Sequence, residues 1–258
     1  MNKAESVSLV IIDTDTYQLA RRALEKTLEI FPVDEILIFS DDASKWGHPI
    51  IEVKKISSIA DYQRILFDDL VNYLRTDFAL VIQYDGFAIN SASFSKFFYK
   101  FDFIGAPWPA GLIPGQAAMV GNGGFSLRSK KLIEVLANYR SIINYDFAED
   151  ATICRFLRPM LESEGIVYAP VEVARHFAVE FEDVNNIEPF GFHGPHILPL
   201  VYRDDCKFLI ENLPSRVFNN PNQLSNFKHG FSRISPEAER LFFERVERQK
   251  MDSKVPYP

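Results

Sequence analysis

The sequence predicts an α/β protein whose mainly parallel sheet is flanked by helices. Short apolar runs that end in polar residues recur through the first half of the chain, as buried strands do. Segments with helical apolar spacing separate them, and strand–helix–strand alternation is the pattern of a parallel sheet. With 47% apolar and 24% charged residues the composition is that of a globular chain with a real core.

In order, SVSLVIID reads as the first buried strand. YQLARRALEKTLEIF follows as a helix, with Leu19, Ala23, Leu24, Leu28 and Phe31 on one side and Pro32 just past its end. DEILIFSDD is a second strand and PIIEV a short third. ADYQRILFDDLVNYL repeats Tyr62, Leu66, Leu70 and Leu74 at helical spacing, and DFALVIQYDGF is another buried strand. FDFIGAPWPAGLIPGQAAM, rich in Pro and Gly, reads as an ordered loop held by Phe103 and Trp108. SKKLIEVLANY is a helix with Ser129 as N-cap, and FAEDATICRFLRPMLES is another. GIVYAPVEVARHFAVE reads as one or two strands, which would leave His176 partly buried and hydrogen-bonded. SPEAERLFFERVERQK is an amphipathic helix with a Ser-Pro start. The expected organisation is one domain over residues 1–200, with a helical tail, 201–258, packed on it.

A net charge of −7 argues against a general nucleic-acid binder, which needs the opposite sign. Cys154 and Cys206 form no CxxC, so neither a zinc ribbon nor a redox motif is indicated. The apolar run Val7–Ile12 is too short for a signal-peptide core or a bilayer span. The expectation is a soluble, cytoplasmic protein, with peripheral membrane contact left open.

Three strands end in polar clusters: Asp13-Thr14-Asp15, Ser40-Asp41-Asp42 and Gln83-Tyr84-Asp85-Gly86. Each alone reads as a solvated turn. On a common edge they mark where α/β sheets bind ligands. Gln83 and Asp85, two apart in a strand, are expected on one face, and a carboxylate there can hold a hard divalent cation. His193 in FGFHG is expected exposed on a tight loop, where it reads either as a metal ligand or as a solvated loop histidine; His196 is a second candidate. Glu149 and Asp150 open a helix, a position that the helix dipole alone favours for acids. The functional alternative makes one of them a general base. Gly121, Asn122, Gly123 and Gly124 put three of the chain's 12 glycines in four positions, which points to close backbone approach.

Taken together, TDFALVIQYDGF, FDFIGAPWP, VGNGGFSLRSKKLIEVL, EDATIC and PFGFHG resemble the GT-A class of nucleotide-sugar-dependent glycosyltransferases, and more narrowly a bacterial family catalogued as a domain of unknown function. The resemblance runs from about Leu9 to His193, and GNGGFSLRS is its most specific segment. It implies a GT-A-like fold and transfer of a sugar from a nucleotide diphosphate sugar, a UDP-sugar being favoured, to a glycan or lipid-linked acceptor. Bacterial surface polysaccharide synthesis is the implied setting. Gln83-Tyr84-Asp85 falls at the DXD position, with Gln83 replacing its first acid. Asp85 and His193 are then the implied ligands of a divalent cation, Mn2+ or Mg2+. Asp150, with Glu149 beside it, falls at the base of inverting members. Asp13, Thr14, Asp15 and Asp41 fall where the base and ribose of the donor rest, and Tyr84 belongs to the same donor edge. Asn122, Gly123 and Gly124 fall where bare backbone lines the donor sugar. Two other readings stand beside this one: a non-catalytic nucleotide- or glycan-binding module, and a metal-dependent hydrolase built on His193 and His196.

Overall fold

The computed structural model describes residues 5–112, 114–181 and 188–252, which fall in two compact units, Met1–His193 and Gly194–Pro258. The first unit begins with β1 (Val7–Ile12), α1 (Tyr17–Ile30), β2 (Glu35–Ser40) and β3 (Ile51–Glu52). Helix α2 (Ile59–Arg64) widens into a π-helical turn at Ile65–Asp69, continues as α3 (Leu70–Tyr73) and leads to β4 (Phe78–Ile82). These elements follow the hydrophobic pattern, because β1, β2 and β4 are mainly apolar and the helices are apolar on one side.

The second half of the unit holds β5 (Gly86–Ala88), β6 (Phe103–Gly105), β7 (Pro107–Trp108), β8 (Met119–Val120) and β9 (Ser126–Ser129). Helix α4 (Lys130–Tyr139) comes next, then α5 (Glu149–Ala151), a π-helical turn at Thr152–Phe156 and α6 (Arg158–Ser163). Helix α7 (Val171–Phe177) and strands β10 (Ala178–Val179) and β11 (Gly191–His193) complete it.

The main sheet has the order β3-β2-β1-β4-β9-β6. Strand β1 is parallel to β2 and β4, and β2 to β3, whereas β9 runs antiparallel between β4 and β6. The carboxyl ends of β2, β1 and β4 therefore share one edge. Val10, Ile12, Leu37, Phe39, Ala79 and Val81 pack with Ile65, Leu66, Leu70, Leu74 and Ile133 on one face. The alternate residues Leu9, Ile11, Ile38, Leu80 and Ile82 point the other way and are also buried. The central strands are thus covered on both sides, which is why they carry no alternation.

Three expectations need correction. The Pro/Gly-rich stretch read as a loop contributes β6, β7 and β8, with Phe103 and Trp108 buried inside it. GIVYAPVEVARHFAVE has helix α7 at its centre, starting after Pro170, a residue able to lead but not to continue a helix, and keeps strand only in the two residues of β10 at its end. His176 is exposed on that helix and not inside a strand. FAEDATICRFLRPMLES is interrupted by its π-turn, where Leu157 N donates to Thr152 O at 2.9 Å.

The second unit is helical: α8 (Leu198–Val201), α9 (Cys206–Asn212), α10 (Ser215–Asn219), α11 (Pro221–Ser232) and α12 (Pro236–Asp252). Ser235 Oγ accepts from Ala238 N at 3.1 Å and so caps α12. Phe242 is buried against Phe231, with ring centroids 4.9 Å apart, and near Phe227 and Phe218. Among the described residues no helix is long and apolar enough to cross a membrane.

Candidate functional site

Strand β4 ends at Ile82 in a tight hairpin. Gln83 N donates to Gly86 O at 2.8 Å and Gly86 N to Gln83 O at 3.1 Å, which leaves Tyr84 and Asp85 at the tip. Asp85 therefore sits in a turn and does not share a strand face with Gln83. The hairpin continues as β5 in a second sheet of order β10-β11-β5. Antiparallel pairing sets His193 opposite Gly86. Parallel pairing sets Ala178 and Val179 opposite Gly191 and Phe192, so the next residue, Glu180, falls beside His193. Residues far apart in sequence are joined in this way. His193 Nε2 lies 3.9 Å from Asp85 Oδ1 and 3.3 Å from Gln83 Oε1, and His193 Nδ1 lies 3.3 Å from Glu180 Oε1. Strand pairing also explains why His193 is not the exposed loop residue that its glycine neighbours predict: its side chain is only 17% exposed.

The glycine-rich turn closes over the same imidazole. Asn122 is buried in the left-handed region at φ 42°, which Asn tolerates better than most residues. Its Oδ1 accepts from Gly124 N at 3.1 Å, and its Nδ2 lies 2.7 Å from His193 Nδ1. A Cβ on Gly124 would overlap the His193 ring and Gln83 Oε1, one on Gly123 the Glu149 carboxylate, and one on Gly121 the Trp108 indole. On the side where a side chain would project, this backbone is covered by the chain's own side chains, so the glycines let the site's groups pack together.

Arg128 was not singled out by sequence reasoning, because arginine is by default a surface residue. It is fully buried. It donates to Ser126 Oγ at 2.9 Å and to Gly123 O at 3.1 Å, and it forms an ion pair with buried Glu149. The two acids of the Glu-Asp pair thus have different surroundings: Glu149 is committed to Arg128, whereas burial and the charge of Glu149 push the carboxyl of Asp150 up to about 6. Burial also raises Asp85, with His193 opposing the shift. Burial alone would lower His193, but the Glu180 hydrogen bond and the charges of Asp85, Glu180 and Asp150 raise it to about 9.

The remaining predicted residues line the neighbouring strand ends. Asp13 accepts from Asp15 N at 2.9 Å and Thr16 N at 2.6 Å, shaping the turn into α1. Thr14 is buried and accepts from Ile56 N at 2.9 Å. Asp41 accepts from Tyr17 at 2.7 Å. Tyr84 is held well above its ordinary value by burial and by the charges of Asp85 and Asp13, which shows that the first and fourth strand ends are within electrostatic reach. His196 falls in the Gly194–Pro258 unit.

A divalent cation can be tested against these residues. Asp85 Oδ1 is buried without a hydrogen-bond partner, a costly state for a carboxylate oxygen that a cation would relieve. A carboxylate and an imidazole are suitable ligands for Mn2+. Among the described residues no group of three or more His, Cys, Asp or Glu side chains is placed to hold a metal by itself. Asp85 therefore fits as one ligand, and His193, which its acidic neighbours hold protonated up to about 9, would join it only by giving up a proton, with further oxygen ligands completing the shell.

Residues 49–193 match the family model described as "Protein of unknown function (DUF5672)", which is more than half of the chain. The chain belongs to this family. A comparison of this DUF5672 member with curated proteins gave no match. Among solved structures it is similar to the bifunctional IspDF from Campylobacter jejuni, at 12% identity and TM-score 0.42, over 64% of this chain and 48% of that one; it spans about half that protein's length. It is also similar to the mannosyltransferase PcManGT from Pyrobaculum calidifontis in complex with GDP-Man and Mn2+, at 8% identity and TM-score 0.47, over 100% of this chain and 78% of that one. A third is the apo-form glycosyltransferase GlyE of Streptococcus pneumoniae TIGR4, at 11% identity and TM-score 0.42, over 99% of this chain and 65% of that one.

Proposed function

We propose that the chain is a GT-A-like glycosyltransferase that moves a sugar from a nucleotide diphosphate sugar, a UDP-sugar in our reading, to a hydroxyl of a glycan or lipid-linked acceptor. The observation that carries this reading is the meeting of Asp85, His193 and the Asn122–Gly124 turn at the carboxyl end of β4, with Asp150 in electrostatic range. Ligands of open α/β sheets bind at such an edge.

In this reading the bond between the anomeric carbon and the diphosphate oxygen breaks, the acceptor oxygen bonds to that carbon from the opposite side, and its proton passes to Asp150. Asp150 suits the task because its raised carboxyl stays basic enough to accept a proton near neutrality, a contribution of about 10²–10⁴-fold. Glu149 is not assigned that role, since Arg128 holds it. Asp85 and His193 would bind Mn2+ or Mg2+, which supplies Lewis-acid stabilisation to the departing diphosphate. Gln83 cannot serve as a second acid; its Nε2 donates to Tyr62 at 2.8 Å and its Oε1 faces His193. Asp13, Thr14, Asp15, Asp41 and Tyr84 are assigned to the nucleotide end of the donor. Residues 1–200 would form the catalytic domain and 201–258 its tail, working in the cytoplasm on a surface polysaccharide.

A thermal-shift screen of UDP-, GDP-, CMP- and dTDP-sugars with and without Mn2+ tests this directly, followed by turnover assays of Asp85→Ala and Asp150→Asn. Stabilisation by one donor that needs Mn2+ and Asp85 is the expected result. A response to none overturns the reading, and binding without turnover points to the non-catalytic module.

A further inference from the structure

We propose that Gln63 is a positioning residue for Asp150: from helix α2 its side-chain amide holds the main chain of Tyr145 and Phe147, and so fixes the path on which the candidate base enters α5. The inference rests on the reading of Asp150 as general base. It gives a role to a buried residue that the hydrophobic pattern passes over.

The start of α5 is held from outside. Its N-cap position is Ala148, which has no side-chain oxygen to accept from the first turn. Glu149 is gripped through its side chain by Arg128. The chain just ahead of it is gripped through its carbonyls. Gln63 is fully buried, and its Nε2 donates to Tyr145 O at 2.8 Å and to Phe147 O. Both protons of the amide are thereby used, and a reversed amide would set its oxygen against two carbonyl oxygens. Tyr145 has other holds on this helix and the π-turn: its hydroxyl donates to Asp68 Oδ1 at 2.6 Å, and Arg64 lies over its ring at 4.8 Å. Phe147 has an exposed side chain stacked near Phe156, and Gln63 ties its carbonyl to α2.

Two observations make this hold more than packing. Tyr62, the residue before Gln63, accepts from Gln83 Nε2 at 2.8 Å, and Gln83 opens the hairpin that carries Asp85. Adjacent residues of one helix therefore grip both sides of the site, the Asp85 hairpin and the approach to Asp150. Second, Gln63 Oε1 is buried without a hydrogen-bond partner. An amide kept in the core with an unmet acceptor costs stability where an apolar side chain of like size does not. Its presence is explained by where it puts the chain and not by what it adds to the fold.

The test separates position from stability. In the full chain, Gln63→Leu removes both donated bonds at little change in volume. Binding of UDP with Mn2+, read by calorimetry, is expected to stay within about twofold of wild type. UDP release from a panel of UDP-glucose, UDP-galactose and UDP-N-acetylglucosamine is expected to show kcat falling by about 10²-fold, as a displacement near 1 Å can cause. Hydrogen exchange over residues 144–150 is expected to quicken by about tenfold, the worth of a lost hydrogen bond, with the central strands unchanged. Gln63→Glu keeps the shape and at most one of the bonds, so it should fall between, and it carries the test if Gln63→Leu misfolds. In an Asp150→Asn background Gln63→Leu is expected to cost little more, because a missing base cannot be misplaced. Unchanged exchange, unchanged kcat or a full second loss in the double variant overturns the proposal. If Asp150→Asn loses rate and Gln63→Leu does not, the base stands and the positioning role alone falls. If Asp150→Asn keeps the wild-type rate, or the wild type releases no UDP, the base reading falls and the positioning role with it.

Discussion

Asp150 and Glu149 are adjacent in sequence, yet burial and pairing give them different surroundings. The carboxyl of Asp150 is raised to about 6 in the fold. Such a group favours the native state when protonated, so its contribution is greatest at acid pH and is lost as pH rises through the native value. Asp150→Asn, which never ionises, is therefore expected to be more stable than wild type at pH 7 by roughly 2–3 kcal/mol, with the gap closing toward pH 4, as read by urea unfolding at several pH values. The same substitution should cut the rate by about 10²–10⁴-fold while donor binding is kept, and wild-type activity should fall as pH drops below about 6. Arg128 and Glu149 form a buried pair, so Arg128→Met strands a carboxylate and is expected to cost about 3–5 kcal/mol. The double replacement Arg128→Met with Glu149→Leu should be markedly milder, and equal losses in the two unfolding curves would contradict this account.

At the level of elements, caps and hydrophobic runs were readable, but pairing across long separations was not. Ser129 was legible as an N-cap: its Oγ accepts from Leu132 N at 3.0 Å, and Ser129→Ala should cost about 1 kcal/mol in an unfolding titration. Strands β1, β2 and β4 were legible because each is built around a run of four or five apolar residues. Strand β9 was harder to place, since nothing local in FSLRS says that it slots antiparallel between β4 and β6. Strand β10 lies inside a stretch read as strand, but β11 and the pairing of the two were missed for the same reason: a three-residue strand carries no periodicity, and its partner lies elsewhere in the chain. Of the candidate site, Asp85, Asn122, Asp150 and His193 were visible as residue types at strand and turn ends. Glu180 and Arg128 were not, because the register that gives Glu180 its neighbour and the burial that fixes Arg128 are tertiary facts.

Across the molecule, the parallel sheet gathers polar residues from three strand ends onto one edge, while the smaller sheet folds the late imidazole back onto the hairpin after β4. Ligand binding at such an edge stabilises the native state by mass action, about 2.7 kcal/mol at a hundred times the Kd. Mn2+ with UDP is accordingly expected to raise the melting temperature more than either alone. Asp85→Ala should abolish the joint increment, and a full shift in that variant would move the cation elsewhere. The packing of the glycine turn has a practical corollary for anyone wishing to alter what this protein accepts. A methyl group added at residues 121, 123 or 124 collides with an indole, a carboxylate or an imidazole that belongs to the protein, so that turn offers no room for tuning. Libraries aimed at new selectivity are better drawn around Tyr17, Asp41 and Asp15, where a changed side chain meets solvent sooner than it meets the core.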